Sequence, residues 1–172
     1  MFTKKIEAAL NEQVAMEAAA SQKYLAMACW CDNAALSGCA EFLFAHSEEE
    51  RMHMLKLVHY INEVGGKAII PAVAQPTLEF ENIIQLFETA FANEIKVSRS
   101  IDRLVDIAEQ EKDKQTVSFL QWYLDEQQEE EALYRTLLDR VKLIGVEGRG
   151  LYFIDNEVAL IAKKKASEEA AQ

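Results

Sequence analysis

The feature that most narrows the fold of this chain is a spacing. Glu50 and His53 are three residues apart, and residues i and i+3 share one face of a helix. Glu17 precedes Glu50 by 33 positions (50 − 17), and Glu94 precedes Gln127 by the same 33 (127 − 94). Gln127 and Glu130 repeat the three-residue step, and the second set lies 77 positions after the first (94 − 17, 127 − 50, 130 − 53). One half thus reads Glu…Glu-x-x-His and the other Glu…Gln-x-x-Glu. A Glu from each of two helices, joined by an i, i+3 pair from each of two more, is how four-helix bundles hold two metal ions.

Apolar periodicity supplies those helices. Each of four long segments carries a stripe stepping by three and four residues, the signature of a bundle seam. The first helix is expected over about residues 3–32, with the seam Leu10, Val14, Glu17, Ser21, Tyr24, Ala28. The second covers about 38–64, opened by Ser37 as N-cap, with the seam Leu43, His46, Glu50, His53, Leu57, Tyr60, Val64. Gly65 and Gly66 end it. The third covers about 79–109, with the seam Ile83, Phe87, Ala90, Glu94, Val97, Ile101, Leu104, Ala108. After a charged turn at 110–114 the fourth carries Thr116, Leu120, Tyr123, Gln127, Glu130, Tyr134, Leu137, Val141. Residues 67–79 hold both prolines and lack helical period. Thirteen extended residues reach ~43–47 Å. That matches a bundle ~42 Å long, so the second and third helices can run parallel. Its apolar residues point to packing, with another subunit as one candidate.

Gly145, Gly148 and Gly150 interrupt the fourth helix. A short fifth helix is expected over about 155–164, with Asp155 as a possible N-cap, and a frayed tail from Lys165. The expected architecture is all-α: one domain with a four-helix bundle over 1–145, a short fifth helix over 146–166 as an assembly contact, and a tail over 167–172.

A net charge of −11 excludes general binding to nucleic acid or to anionic membranes and suits attraction of cations. No apolar run approaches the ~20 residues of a membrane span. The N-terminal residues lack the apolar core of a signal peptide, so a cytoplasmic protein is expected. The three cysteines, Cys29, Cys31 and Cys39, read as reduced thiols. His46 reads as a hydrogen-bonded core histidine, Trp122 as a packing residue and His59 as a surface or interface residue.

Buried, unpaired carboxylates cost several kcal/mol each, and several converging in one layer repel one another. A bound cation is the simplest offset. Oxygen-rich ligation with one imidazole suits iron or manganese better than structural zinc, and no cysteine lies in a seam. A di-iron oxidase or peroxidase acting on a small substrate as a dimer shares this ligand set. A purely structural bundle would carry no metal.

Over nearly its whole length the chain resembles the non-haem bacterial ferritins. The likeness rests on Tyr24, the run from Ser47 through Glu49, Glu50 and Arg51 to His53, Glu94, the stretch from Trp122 to Glu131, and the opening of the last helix at Tyr152 to Asp155. The resemblance implies a ferroxidase and iron store, a hollow homo-oligomeric shell of twenty-four subunits. Each subunit would oxidise two Fe2+ with O2 or H2O2 and pass Fe3+ to a mineral. Glu17, Glu50 and His53 would bind one iron, with Glu50 bridging to a second held by Glu94 and Glu130, and Gln127 assisting by hydrogen bonding. Glu49, Glu126, Glu129 and Glu130 stand where a third site would be. Tyr24 could hydrogen-bond a ligand and supply an electron, or simply pack. Haem-binding relatives place Met after the bridging Glu and Glu-x-x-His in the fourth helix. Arg51 and Gln127-x-x-Glu130 stand there instead, so no haem is expected.

Overall fold

The structure, a computed structural model, describes residues 2–169. Five helices follow in order: α1 (Lys4–Asn33), α2 (Ser37–Glu63), α3 (Ile83–Gln110), α4 (Lys114–Ile144) and α5 (Gly150–Glu169). There is no strand among the described residues. Every seam residue named above is buried except Val64, which is half-buried. The stripes of apolar residues therefore face one another across a common core, as their spacing requires.

Side chains set most of the helix starts. The Thr3 hydroxyl accepts from the Ile6 amide at 3.4 Å, and the Asp113 carboxylate accepts from the Thr116 amide at 3.4 Å. α3 starts at Ile83, later than expected, because Asn82 is extended and caps it. Its Oδ1 accepts from the Gln85 amide at 3.0 Å, and Gln85 Oε1 accepts in return from the Glu81 amide at 2.7 Å. Ser37 is not the cap of α2. Leu36 holds that position without a side-chain bond, and the amide of Cys39 donates to Asp155 Oδ1 at 2.9 Å. Asp155 therefore does not open α5 but sits inside it and caps α2 from across the fold. Gly38 makes this approach possible, since a Cβ there would collide with the Asp155 carbonyl.

α5 starts five residues earlier than expected and runs on through the segment expected to fray. Ile154 and Val158 are buried against the bundle, and Lys165 is held by ion pairs described below. Of the expected tail over 167–172, residues 170–172 lie outside the described residues.

Short turns make α1/α2 and α3/α4 into antiparallel hairpins. Lys5 of α1 meets Gln110 at the end of α3, while Tyr24 meets Ala90 near its start, so α1 and α3 also run antiparallel. Hence α2 and α3 are parallel, and residues 64–82 travel the length of the bundle along α1. Asn11 holds this connection at one end, donating to the Lys67 carbonyl at 3.1 Å and accepting from the Ile69 amide at 2.7 Å. At the other end Phe80 packs edge-on against Trp30.

The interior is two apolar clusters, not one. The first gathers Tyr24, Met27, Leu43, Phe87, Tyr134 and the α5 residues Ile154 and Val158. The second gathers Ile6, Leu10, Leu57, Ile101, Leu104 and Leu120. Between them lies a buried polar layer that includes Glu17, Glu50, His53, Glu94, Gln127 and Glu130. Cys29 is exposed, Cys31 and Cys39 are buried, and all three are free thiols.

Candidate metal centre

The layer is built by position in the seam. Glu17, Glu50, Glu94 and Glu130 lie in the seams at the level between the two apolar clusters and are fully buried there. Ligand-capable atoms of Glu17, Glu50 and His53 all lie within 4.8 Å of one another, as do those of His46, Glu50 and Glu94, and those of His46, Glu49 and Glu130. Glu50 and His46 are shared between sets. The three sets form a chain that crosses the bundle from α1 through α2 to α3 and α4.

Neighbouring polar groups orient this chain. Gln13 Nε2 donates to Glu17 Oε1 at 2.8 Å. The Tyr24 hydroxyl donates to Glu94 Oε1, and Gln127 Nε2 donates to Glu94 Oε2 at 3.2 Å. Glu94 is therefore gripped on both oxygens, by the tyrosine and the amide that the sequence placed in the neighbouring seams. The Tyr123 hydroxyl donates to the His53 carbonyl at 2.7 Å, tying α4 to α2 at the site. Trp122 packs edge-on against the His53 ring with centroids 5.3 Å apart. His53 Nδ1 is 3.5 Å from Glu50 Oε2, and its Nε2 is 3.9 Å from Glu126 Oε1.

The outer acids are gathered only in part. Glu49 and Glu130 meet around His46, whose Nδ1 is 2.9 Å from Glu49 Oε2 and whose Nε2 is 3.4 Å from Glu130 Oε2. Glu126 turns toward His53. Glu129 is exposed and lines a cavity of about 450 Å3 beside Glu130, Lys164 and Lys165. His59 and Met52 are exposed.

Several participants were not singled out by spacing. Gln13 lies one turn before Glu17, and that i, i+4 relation was the available signal. Asn93 is buried beside Glu94 and accepts from Lys23 Nζ at 2.5 Å. His46 is a core histidine, as read, and it lies among four carboxylates, with Nδ1 2.9 Å from Glu49 Oε2. Lys165, expected in a frayed tail, places Nζ 2.7 Å from Glu49 Oε2 and 2.8 Å from Glu130 Oε1.

The electrostatics match the crowding. Burial, then the neighbouring Glu50, holds the Glu17 carboxyl well above the usual range. Burial and Glu94 push Glu50 up to about 8, against the pull of His46. Burial works against the charge on His46, but Glu130, Glu49, Glu50 and Glu94 outweigh it and hold the imidazole at about 9. Burial likewise opposes the charge on Glu49, yet His46 and Lys165 bring it down to about 2. Burial raises Glu126, with His53 opposing.

Glu17 Oε2, both oxygens of Glu50 and Glu130 Oε2 are buried without a hydrogen-bond partner among the described residues. Orphaned carboxylate oxygens in a dry interior carry a penalty of order 1–3 kcal/mol each, more when charged. Their mutual aim gives that penalty an outlet: a small hard cation, which takes oxygen ligands and neutralises the repulsion.

Fold and layer together define a four-helix bundle with a long crossover and a carboxylate–histidine nest able to hold metal. The model of the ferritin-like domain matches residues 7–144, and the chain belongs to the ferritin family. It is 41% identical over 162 residues to a bacterial non-heme ferritin of Campylobacter jejuni, covering 94% of this chain and 97% of that one. A bacterial non-heme ferritin of Staphylococcus saprophyticus is 40% identical over 159 residues, covering 92% of this chain and 95% of that one. Among solved structures, an open-pore ferritin from the hyperthermophilic archaeon Archaeoglobus fulgidus superposes with a TM-score of 0.90 at 36% identity, covering 93% of this chain and 98% of that one. Chlorobium tepidum ferritin superposes with a TM-score of 0.83 at 45% identity, covering 92% of this chain and 98% of that one.

Proposed function

We propose that this chain is a non-haem ferritin that oxidises Fe2+ at its bundle centre and stores the product as a ferric mineral inside a shell of many copies. The observation that carries this reading is the convergence of Glu17, Glu50, His53, Glu94 and Glu130 with carboxylate oxygens left unpaired. Iron is the substrate. Glu17, Glu50 and His53 would take one Fe2+, Glu50, Glu94 and Glu130 the other, and Glu49, Glu126, Glu129 and Glu130 a more exposed third. Two Fe2+ give up one electron each, and O2 with two protons leaves as H2O2; peroxide in turn can accept two electrons and leave as water.

What the chain's own residues contribute is position and charge. Anionic oxygens favour the higher-charged ion, which makes electron loss easier. Tyr24 and Gln127 hold Glu94 in one rotamer, so that ligand is preorganised. Glu50, bound by neither, keeps the freedom to bridge. The apolar clusters above and below exclude bulk water.

Two exposed apolar surfaces support assembly. The connection presents Ile69, Ile70, Val73 and Leu78, and α5 presents Leu151, Tyr152, Phe153 and Leu160. Apolar groups gathered this way on a surface mark contact sites. Among the described residues no helix is long and apolar enough to cross a membrane.

Native mass by light scattering tests the shell. Twenty-four copies of a 19.5 kDa chain give about 468 kDa, and a monomer or dimer would overturn storage in a cage. Stopped-flow Fe2+ oxidation tests the centre. The double variant Glu17→Ala, His53→Ala loses the rapid phase and keeps slow mineral growth; a surviving rapid phase refutes the site.

A further inference from the structure

We propose that the Lys165 ammonium is a built-in occupant of the outer metal pocket, a tethered cation that a metal ion must displace before Glu49 and Glu130 can bind it. The inference rests on the ferritin reading above and concerns the regulation of that same site.

The geometry is a cation site already filled. Nζ stands 2.7 Å from Glu49 Oε2 and 2.8 Å from Glu130 Oε1, charge-assisted bonds of ordinary length. Glu130 is buried and shared with the central nest. Both carboxylate oxygens that Lys165 engages would be the donors to a metal at the outer position. A lysine amine is charged at neutral pH, and a divalent ion cannot share the pocket with the ammonium.

A second observation shows where the ammonium can go. The cavity of about 450 Å3 lined by Glu129, Leu133, Ile161, Lys164 and Lys165 opens beside this pair. Lys165 can swing into it without disturbing the core, because the buried anchors of α5, Ile154 and Val158, lie two to three turns upstream. Metal arriving at Glu49 and Glu130 would release the last turns of α5. By linkage, whatever holds those turns in place weakens the outer site by the same factor. Among the described residues no lysine pairs with Glu17, Glu50 or His53, so the inner position these three would hold fills first.

The test is titration of the assembled protein with Co2+ alone, in deoxygenated buffer, by calorimetry. Lys165→Met removes the competitor. Its weak outer Co2+ site tightens about tenfold over wild type, or ~1.4 kcal/mol, and the inner Glu17–Glu50–His53 position keeps its affinity. Lys165→Arg keeps the charge and keeps the site weak. Glu49→Gln in the Lys165→Met background abolishes the gain. Hydrogen exchange gives an independent readout: in wild type, Co2+ at the outer site speeds exchange of the amides of 162–169, and in Lys165→Met those amides exchange fast before metal is added. If Lys165→Met disturbs the helical content, Lys165→Gln replaces it. Superimposable outer-site isotherms for wild type and Lys165→Met overturn the proposal, as does a Lys165→Arg variant that binds as Lys165→Met does. Failure of the ferritin reading looks different: the tight central sites would survive Glu17→Ala, His53→Ala, whatever residue 165 does.

Discussion

Metal-free protein pays for its own site, and Glu50→Gln measures how much. Gln is nearly isosteric with Glu but cannot ionise. In the fold, burial and Glu94 hold Glu50 at about 8, against 4.5 for the free carboxyl. A carboxyl whose folded value is raised binds its proton more tightly folded than unfolded. Its cost is absent below about pH 4.5, grows as pH rises through that value and levels off above about pH 8. At pH 7 the gap amounts to about 3 kcal/mol, from 1.36 kcal/mol per unit over the span from 4.5 to 7. Glu50 is fully buried, so solvent screening takes little from this figure. His46 takes some, since it leans partly on Glu50 for its charge. Glu50→Gln in metal-free protein should therefore raise the melting temperature by roughly 5–10 °C at pH 7. The gain should shrink to ~1 kcal/mol or less near pH 5. Adding Co2+ should reverse the order, stabilising wild type and leaving the variant nearly unmoved. Circular dichroism melts at matched protein concentration across pH 5 to 8 read all three. A variant no more stable than wild type at pH 7, or a gap that does not close toward pH 5, refutes the electrostatic account of the layer.

Other substitutions isolate single contacts. Tyr24→Phe removes one of the two grips on Glu94, and rapid Fe2+ oxidation should slow roughly tenfold while native mass is unchanged, as stopped-flow and light scattering report. Gly38→Ala drives a methyl into the Asp155 carbonyl and the Ala159 side chain, costing about 1–3 kcal/mol in denaturant titration; Asp155→Ala, which only uncaps α2, should cost about 1 kcal/mol. Lys112 ends α3 with a left-handed backbone at φ 56°, and Lys112→Gly should stabilise by roughly 0.5 kcal/mol in the same titration.

The bundle was legible because its information is periodic. A stripe such as Ile83, Phe87, Ala90, Glu94, Val97 has one low-energy disposition, facing other stripes, and all its members are buried. The acids at the centre were legible for the same reason, since a carboxylate inside an apolar stripe is costly enough to stand out. Helix ends were less so. Ser37 has the right chemistry for a cap, but the vacancy it would fill is taken by Asp155, 118 residues away (155 − 37). No local pattern encodes a cap supplied from another helix.

The extent of α5 was hidden by the same kind of non-locality. Residues 165–172, Lys-Ala-Ser-Glu-Glu-Ala-Ala-Gln, have no apolar period and so read as tail. What orders the helix there is charge that only the assembled bundle presents: Glu49 and Glu130 converge from α2 and α4 to form an anionic pocket within reach of Nζ. The pocket exists because the seams bury acids, and the acids invite a cation of whatever origin is at hand. Lys165 answers to the same field that would draw a metal ion. A site assembled from four helices therefore decides the fate of a fifth, and the sequence of α5 alone cannot show it.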